Sequence, residues 1–499
     1  MVFLSIEKLH YFFEPRSVAV IGASTRVGSP GYVIFKNLLD NRRAGILKAK
    51  VYGVNIKGGE VLGEKLFRSV LEVPDDIDHA IIAIPAKFVP RAMEECGRKG
   101  IKVVTIISSG FSEVGEVELE NKVREIGKNY GMRIIGPNGL GVYDPYTGID
   151  TLFIPPKKII DGKETVNLAR PPKGFIAFLT QSGALGGALL DYLWGEELGV
   201  SKFVSWGNKI DVDEVDMLEY LKRDPNTRVV AIYMEALKAR ARELIRKGRE
   251  FTLRKPIVVL KGGTTEAGAR ATQSHTASLA GNYRVYVGAF RQMGAIVAES
   301  VLELMDMCKA LALQPPARGK NVGIVSNGGG PGIIVADQLE RRGLRVPKLS
   351  DDTLRELKQA VKDGTIPSIA TFANPIDISG TAGDDAYVKA TEIVLNDKNI
   401  DLLIVLALHH PPTLTGRLPE KLLSVMRDSK KPVLIMDIGL GELSRYVRRI
   451  FDKNNIPSYT LPIRVASGAK ALVEYGEYLA RQGVINDYLE SWEPPRRLS

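Results

Sequence analysis

Three short apolar runs along the chain share one pattern: each is a buried-type strand that ends in small residues and leads into an amphipathic stretch. They are "SVAVIGAS" (17–24), "GFIAFLTQSG" (174–183) and "NVGIVSNGG" (321–329). A strand, a glycine turn and a helix form the opening unit of a parallel α/β domain. Three such openings therefore predict three consecutive α/β domains with parallel sheets.

Further apolar strands follow each opening, and amphipathic stretches separate them, so the whole chain is expected to alternate strand and helix. The strands are "KVYGVNI" (50–56), "HAIIAIP" (79–85), "KVVTIIS" (102–108), "MRIIGPN" (132–138), "KFVSWG" (202–207), "VVAIYME" (229–235), "PIVVLKGG" (256–263), "GAIVAES" (294–300), "IDLLIVLAL" (400–408) and "KPVLIMDI" (431–438). Breaker-rich segments at 154–174 and 313–320 separate the three regions. The expected domains are 1–160, 168–314 and 320–485.

Composition narrows the class of protein. The two cysteines, Cys96 and Cys308, have no CxxC spacing and give neither a zinc ribbon nor a disulfide framework. No apolar run approaches the ~20 residues of a membrane span, and the N-terminal stretch lacks the pattern of a signal peptide, so we expect a cytoplasmic protein without a membrane partner. The net charge of +10 suits a polyanionic ligand. Basic residues alternate with acidic ones, as in 238–250, which favours a phosphate-rich small molecule over nucleic acid.

Glycine turns at the starts of the predicted helices are candidate phosphate sites, because a helix N-terminus presents free N–H groups. "GASTRVG" (22–28) is neither a GxGxxG fingerprint nor a P-loop, and a tight turn explains it nearly as well. The same holds for "TQSGALGG" (180–187). "SNGGGPG" (326–332) is more informative, because three successive glycines cost backbone entropy and indicate close approach to a ligand.

Three unusual loops follow consecutive strands of the first region. They are "IPAKFVP" (84–90), "SSGFSEVG" (108–115) and "GPNGLGVY" (136–143). In an open parallel sheet such loops lie on one edge, where ligands bind. Together with the first glycine turn, they predict a nucleotide-type site.

His275 lies in "LKGGTTEAGARATQSHTASLAG" (260–281), which we interpret as a strand end, a long small-residue loop and a helix. The histidine has three interpretations: a surface residue, a metal ligand or a phosphate-carrying nucleophile. No ligand partners lie at metal spacing, so no metal site is predicted. A nucleophile needs an acidic partner to orient its ring. Glu235, at the end of an apolar strand, is the candidate, although it could instead cap the next helix.

Nine motifs, in this order over residues 10–480, together resemble the α subunit of ADP-forming acyl-CoA synthetases, relatives of succinyl-CoA synthetase. They are "EPRSVAVIGAS", "IPAKFVP", "SSGFSE", "GPNGLG", "TQSGAL", "YMEAL", "SHTASLAG", "SNGGGPG" and "NPIDISGTA". The family's histidine loop more often reads SHTGSLAG, so Ala277 is a small departure. The resemblance implies a Rossmann-like CoA-binding domain followed by two flavodoxin-like ligase domains.

The resemblance also implies a reaction and its residues. The family converts acyl-CoA, ADP and phosphate into the free acid, CoA and ATP through an acyl phosphate and a phosphohistidine, here at His275 with Glu235 holding its ring. Phosphate binding is implied for Ser182, Gly183 and Ala184, and from the other side for Asn327, Gly328, Gly329 and Gly330. CoA binding is implied for Gly22, Ser24, Gly28, Lys57, Ile84, Pro85, Ser108, Ser109, Gly110 and Asn138. A solvated turn lysine remains the alternative for Lys57. His409 and His410 are candidates to border the acyl pocket, although a structural role is favoured.

The chain has no Walker A motif and no stretch resembling an ATP-grasp domain. The resemblance therefore implies an ATP-grasp β subunit in an α2β2 assembly, which supplies most of the ADP/ATP and Mg²⁺ site. No acetyltransferase domain is appended, which argues against the related lysine acetyltransferases.

Three alternatives stay open. A non-catalytic CoA-binding or regulatory protein on the same fold is disfavoured, since His275 and Glu235 are both present. A different acid substrate is equally compatible with the sequence. A dinucleotide oxidoreductase is disfavoured by the missing GxGxxG and by Asn55 and Lys57, which stand where an acidic residue would end the second strand.

Overall fold

A computed structural model describes residues 6–237, 240–276, 282–427 and 429–496, without the side chains of 273–276. The chain divides into two compact units, Met1–Met293 and Gly294–Ser499. Short 3-10 turns precede or connect the larger elements of the first unit. They span Leu9–Phe12, Val70–Glu72, Ala86–Phe88 and Ser112–Val114.

The first sheet has seven strands, parallel except for one edge hairpin. They are β1 (Ser17–Ile21), β2 (Lys50–Val54), β3 (Gly59–Val61), β4 (Glu64–Phe67), β5 (His79–Ile82), β6 (Val103–Ile106) and β7 (Arg133–Ile135). Their order is β3-β4-β2-β1-β5-β6-β7, and only β3 runs antiparallel to its neighbour. Helices α1 (Pro30–Arg43), α2 (Val89–Lys99) and α3 (Val117–Tyr130) follow β1, β5 and β6. The inner strands β1, β5 and β6 are buried along their whole length, as expected for a sheet covered on both faces.

A second sheet completes this unit, in the order β15-β14-β12-β13-β8-β9. Its strands are β8 (Gly141–Asp144), β9 (Ile149–Asp150), β12 (Lys173–Thr180), β13 (Val200–Ser205), β14 (Val229–Met234) and β15 (Ile257–Lys261), and β10 (Lys157–Ile160) and β11 (Lys163–Val166) form a separate hairpin. The helices are α4 (Gly183–Gly195), α5 (Glu214–Leu221), α6 (Ala241–Thr252), α7 (Glu266–Thr276) and α8 (Tyr283–Gln292).

Residues 141–150 fall in the range expected for the first domain, yet they pair in the second sheet, with β8 antiparallel to β13. Two glycines allow the backbones to meet there. A Cβ on Gly139 would lie 2.3 Å from the Ser205 carbonyl oxygen, and one on Gly207 would lie 2.1 Å from that of Asn138. The chain thus passes from the first sheet to the second between Ile135 and Gly141. The domain ranges 1–160, 168–314 and 320–485 stay predictions.

Within 260–281, the long loop expected between the strand end and a helix is wrong for 266–276, which already form helix α7. Thr265 starts the helix: its hydroxyl accepts the N–H of Gly268 (3.2 Å) and its carbonyl accepts that of Ala269 (2.7 Å). Alanine at 267, 269 and 271 favours the helical state. The rest of the motif, residues 277–281, lies outside the described residues.

The second unit contains a five-stranded, all-parallel sheet in the order β18-β17-β19-β20-β21. The five strands are β17 (Val322–Ser326), β18 (Ile376–Asp377), β19 (Leu402–Leu406), β20 (Val433–Met436) and β21 (Ser458–Tyr459). A further strand, β16 (Ile296–Ala298), comes before them in the chain and is not part of this sheet. The helices of this unit are α9 (Val301–Leu313), α10 (Gly329–Glu340), α11 (Asp351–Lys362), α12 (Asp384–Leu395), α13 (Leu418–Met426), α14 (Glu442–Lys453), α15 (Pro462–Arg481) and α16 (Ile485–Glu490). The predicted α/β fold with mainly parallel sheets is confirmed. Over the described residues, none of the helices has both the length and the apolar character needed to cross a bilayer.

The close contact between the β1 turn and helix α1 generates a test of the fold. A Cβ on Gly31 would lie 1.9 Å from the Gly22 carbonyl oxygen, so Gly31→Ala should destabilise the chain by about 1–3 kcal/mol. Gly288 is the matched control, since it is exposed in α8 and a Cβ there would meet no atom within 4 Å. Gly288→Ala should leave stability equal or slightly higher. Thermal unfolding midpoints measure both, and an unchanged midpoint for Gly31→Ala would contradict the contact.

Candidate active site

The loops predicted to bind CoA share one edge of the first sheet. Strands β2, β1, β5, β6 and β7 are parallel neighbours, so their carboxyl ends meet there. Gly22 N–H donates to the Val54 carbonyl and Asn138 N–H donates to the Ser108 carbonyl, each at 2.9 Å, and the Ser108 hydroxyl donates to the Ile84 carbonyl. The residues in these loops are Gly22, Ser24, Gly28, Lys57, Ile84, Pro85, Ser108, Ser109, Gly110 and Asn138. The structure therefore brings the predicted set to one edge.

The turn after β1 needs glycine. Gly22 has φ +104°, and a Cβ there would lie 2.4 Å from the Ala83 carbonyl oxygen. Asn55 connects this turn to the next loop, since its amide donates to the Ala23 carbonyl (2.7 Å) and its side-chain oxygen accepts the Lys57 N–H (3.0 Å). Lys57 is exposed. An exposed cation is thus held beside the turn that would approach the CoA phosphates.

Asn208, which sequence reasoning missed, ties the first sheet to the second. Its amide donates to Glu113 (2.6 Å) and Glu120 (2.8 Å), and its side-chain oxygen accepts from Asn138 (3.2 Å). Glu113 in turn accepts the Gly110 N–H. Burial opposes ionisation of Glu113, but hydrogen bonds from Asn208 and nearby backbone N–H groups bring its pKa below the ordinary value. The only signal in the sequence is an asparagine shortly after a strand, in "WGNK".

Glu235 follows β14 directly and is buried, with 6% of its surface exposed. The Gln181 side-chain oxygen accepts both the Glu235 and the Ala236 N–H groups. Burial, followed by the charge and hydrogen bond of Glu235, raises the pKa of Tyr233. Glu235 is therefore a fixed, buried acceptor and does not merely cap α6, which begins at Ala241.

The predicted phosphate turn at 182–184 forms the start of α4. Ser182 is the N-cap, and its hydroxyl accepts the Leu185 N–H at 3.2 Å. Gly183 and Ala184 open the first turn, where N–H groups lack intrahelical acceptors. The helix start, which follows β12, can therefore offer backbone donors to an anion.

Helix α7 carries His275 and begins shortly after β15, the strand that pairs with β14. The helix contacts the turn Ser112–Val114, at the edge of the first sheet that carries the loops predicted to bind CoA. We call this the CoA edge. The His275 side chain lies outside the described residues. The histidine helix thus starts beside the strand that carries Glu235 and touches a loop predicted to bind CoA.

The turn at 327–330 lies in the other unit, after β17, and opens α10. Asn327 is buried, and its side chain bonds both the carbonyl (3.0 Å) and the N–H (3.1 Å) of Leu408. The Gly328 N–H donates to the Ser326 hydroxyl (3.0 Å). The side chain of Asn327 therefore holds the neighbouring loop, and the donors in the first turn of α10 come from Gly329 and Gly330.

His409 and His410 follow β19 in the same unit. His409 is buried, and its Nδ1 lies 3.1 Å from the Asp437 carboxylate and 3.0 Å from the Ala407 carbonyl oxygen. Both neighbours are acceptors, so Nδ1 carries a hydrogen. This arrangement agrees with the structural role favoured for His409, and the acyl-pocket role stays a prediction.

Three family models match the chain in succession. The CoA binding domain matches residues 16–145, the succinyl-CoA ligase like flavodoxin domain 173–311, and the ligase-CoA domain 322–473. The α subunit of acetate–CoA ligase [ADP-forming] II from Pyrococcus furiosus is 39% identical, over 93% of this chain and 97% of the relative. The 4-hydroxybutyrate–CoA ligase [ADP-forming] of Nitrosopumilus maritimus is 33% identical, over 93% of this chain and 64% of its own length.

A solved structure extends the likeness to the fold. The dinucleotide-forming acetyl-coenzyme A synthetase 1 of Ca. Korarchaeum cryptofilum, in complex with phosphate and ADP, superimposes with a TM-score of 0.85 at 36% identity. The match covers 96% of this chain and 98% of that one. Sequence identity and coverage agree with the three domain matches, and the chain belongs to the family of α subunits of ADP-forming acyl-CoA ligases, within the succinyl-CoA synthetase-like superfamily.

Proposed function

We propose that this chain, with an ATP-grasp β subunit, interconverts acyl-CoA, ADP and phosphate with a carboxylic acid, CoA and ATP. Acetate is the acid to test first, because the α-subunit relative from Pyrococcus furiosus is named for it. The β subunit would supply most of the nucleotide and Mg²⁺ site in an α2β2 assembly. The name "subunit alpha" of that relative supports the partner, and the complex of the Korarchaeum relative supports ADP as the nucleotide. We place the assembly in the cytoplasm.

The proposed reaction has three bond exchanges. A phosphate oxygen attacks the thioester carbonyl carbon, and the C–S bond breaks to release CoA thiolate, which takes up a proton. A ring nitrogen of His275 attacks the phosphorus of the acyl phosphate, and the carboxylate leaves as the P–O bond breaks. A terminal phosphate oxygen of ADP then attacks phosphorus, the P–N bond breaks, and ATP leaves with neutral imidazole restored. Positioning and charge stabilisation account for most catalysis of this type.

One observation supports this proposal most strongly: a buried carboxylate at the end of β14, on a backbone segment that Gln181 holds and next to the strand that leads to the His275 helix. Glu235 would accept the N–H of one imidazole nitrogen and leave the other nitrogen free to attack. The N-terminal donors of α4 would hold phosphoryl oxygens, since Ser182 is its N-cap and Gly183 and Ala184 lie in its first turn. The turn with Gly329 and Gly330 is proposed to act in the same way. A non-catalytic CoA-binding protein would not need the buried carboxylate.

The test of this function is the intact mass of the chain after incubation with acetyl-CoA, phosphate and Mg²⁺. His275→Asn should abolish the gain of one phosphoryl group and all ATP formation with the partner, because the asparagine amide is not nucleophilic. CoA binding should stay intact. His10→Asn, at an exposed histidine, is the control and should behave like the parent chain. Undiminished turnover in His275→Asn would contradict the proposed phosphohistidine.

Glu235→Gln should slow phosphorylation by roughly 10²-fold or more, since the amide cannot balance the positive charge that develops on the ring. Glu250→Gln is the control, because Glu250 lies on the surface with Lys247 and Arg246. Rates of phosphoryl incorporation measure the effect. A near-normal rate for Glu235→Gln would leave Glu235 with a purely structural role.

Lys57→Gln should weaken CoA binding if the exposed ammonium group contacts a CoA phosphate. The expected loss is about 1 kcal/mol, or roughly fivefold in Kd, as for an exposed charge pair, and it should shrink at high salt. Lys65→Gln, on the neighbouring strand β4, is the control. Calorimetric titration with CoA at two salt concentrations measures the Kd of each variant and its salt dependence. Equal Kd values for the two variants would indicate that Lys57 is only a solvated lysine in a turn.

A further inference from the structure

Side chains from four elements hold the backbone of residues 235–237. Besides the Gln181 contact described above, Lys261 Nζ donates to the Glu235 carbonyl at 2.6 Å. Lys209 Nζ donates to the Ala236 carbonyl at 3.3 Å, and the Tyr286 hydroxyl accepts the Leu237 N–H at 3.1 Å. This segment is therefore fixed from the ends of β12 and β15, the loop after β13, and α8.

Lys261 is the unusual member of this set, because a buried ammonium group costs free energy unless it is compensated. Only 3% of its surface is exposed. Burial lowers the pKa of Lys261, and the negative charge of Glu235 opposes that effect. Lys209, by comparison, forms a buried ion pair with Glu214 at 2.6 Å. Because burying an ammonium group costs free energy, the position of Lys261 next to Glu235 indicates a role besides packing.

The contacts of Lys261 indicate how it acts. Two of its three donors go to carbonyl oxygens, those of Glu235 and Gly262. Its ammonium group also lies 4.7 Å from the centre of the Tyr286 ring, within cation–π range. An ammonium group held in this way would have to break these contacts to reach a phosphoryl oxygen. It is suited to act on Glu235 and not on the substrate.

We propose that Lys261 is a positioning residue, which fixes the backbone of Glu235 and places a positive charge beside its carboxylate, so that the carboxylate is held ready to accept the His275 N–H. Tyr286 completes the arrangement by flanking the ammonium group and holding Leu237. This inference rests on the function proposed above. It adds a residue to the proposed phosphorylation site that neither contacts the substrate nor carries the phosphoryl group.

The same strand offers a matched control. Lys255, just before β15, donates to the carbonyl oxygens of Leu221 (2.8 Å) and Asp224 (2.7 Å). Burial lowers the pKa of Lys255 to about 8. Both lysines thus bond two carbonyl oxygens at the ends of one strand, but only Lys261 lies at the end next to Glu235. A purely structural role predicts similar effects for the two.

The experiment compares Lys261→Met and Lys255→Met in the full chain by single-turnover phosphorylation with acetyl-CoA, phosphate and Mg²⁺. The rate constant, unlike the amplitude, does not depend on the fraction of folded protein. Lys261→Met should lower the rate constant by about 10–100-fold, the scale of a displaced catalytic group. The half-saturating acetyl-CoA concentration should stay within about twofold, because CoA contacts are untouched. Lys255→Met should keep the parent rate constant.

Tyr286→Phe is a second variant, in case Lys261→Met does not fold. It removes only the hydroxyl that accepts the Leu237 N–H and should lower the rate constant in the same direction, by less. The inference is overturned if Lys261→Met keeps the parent rate constant while His275→Asn is inert. If Lys261→Met does not fold, a parent-like rate constant in Tyr286→Phe overturns it instead. Equal losses in Lys261→Met and Lys255→Met also overturn it. A parent chain that gains no phosphoryl group would instead refute the proposed function itself.

Discussion

Parallel pairing of β12, β14 and β15 is the constraint on which the candidate active site depends. Thr180 pairs with Tyr233, and Met234 pairs with Lys261. Gln181 and Glu235, each one residue beyond these pairs, therefore meet at the carboxyl edge. A slip of one residue in either pairing would turn alternate side chains to the opposite face. The buried hydrogen bonds around Glu235 thus follow from the register of three apolar strands. The candidate functional side chains lie only at the ends of these strands.

The second requirement is close backbone contact between loops, which joins the CoA edge to the second sheet. Gly139 and Gly207 let the loops after β7 and β13 touch, and Asn208 then reaches Glu113 in the loop after β6. Because Glu113 accepts the Gly110 N–H, the second sheet shapes a loop of the first. CoA binding and histidine phosphorylation would therefore share one rigid framework, in which helix α7 contacts the turn after β6.

The sequence was sufficient for features encoded within a few neighbouring residues. Apolar runs located the strands, and their small-residue ends located the turns with Gly22, Ser182 and Gly328. Contacts between distant segments cannot be predicted in this way: the sequence predicts a first-region loop over 136–143, and only the pairing with β13 shows that 141–144 form β8 of the second sheet. Gln181 and Asn208 carry no local signal, because an amide beside a strand end is common. The small residues of 260–281 predict a long loop before the helix, whereas the Thr265 cap and the alanines favour a helix that begins already at Glu266.

The proposed phosphate sites use backbone donors in preference to charged side chains, and this has a chemical reason. The Ser182 hydroxyl accepts the Leu185 N–H, and the Asn327 side-chain amide bonds the backbone of Leu408. The backbone donors are the N–H groups of glycine and alanine at the starts of α4 and α10. Such groups neither gain nor lose protons, so they suit phosphate whether it is free, in an acyl phosphate or on histidine. In the proposed function, the buried charges of the first unit, Glu235 and Lys261, would control the imidazole.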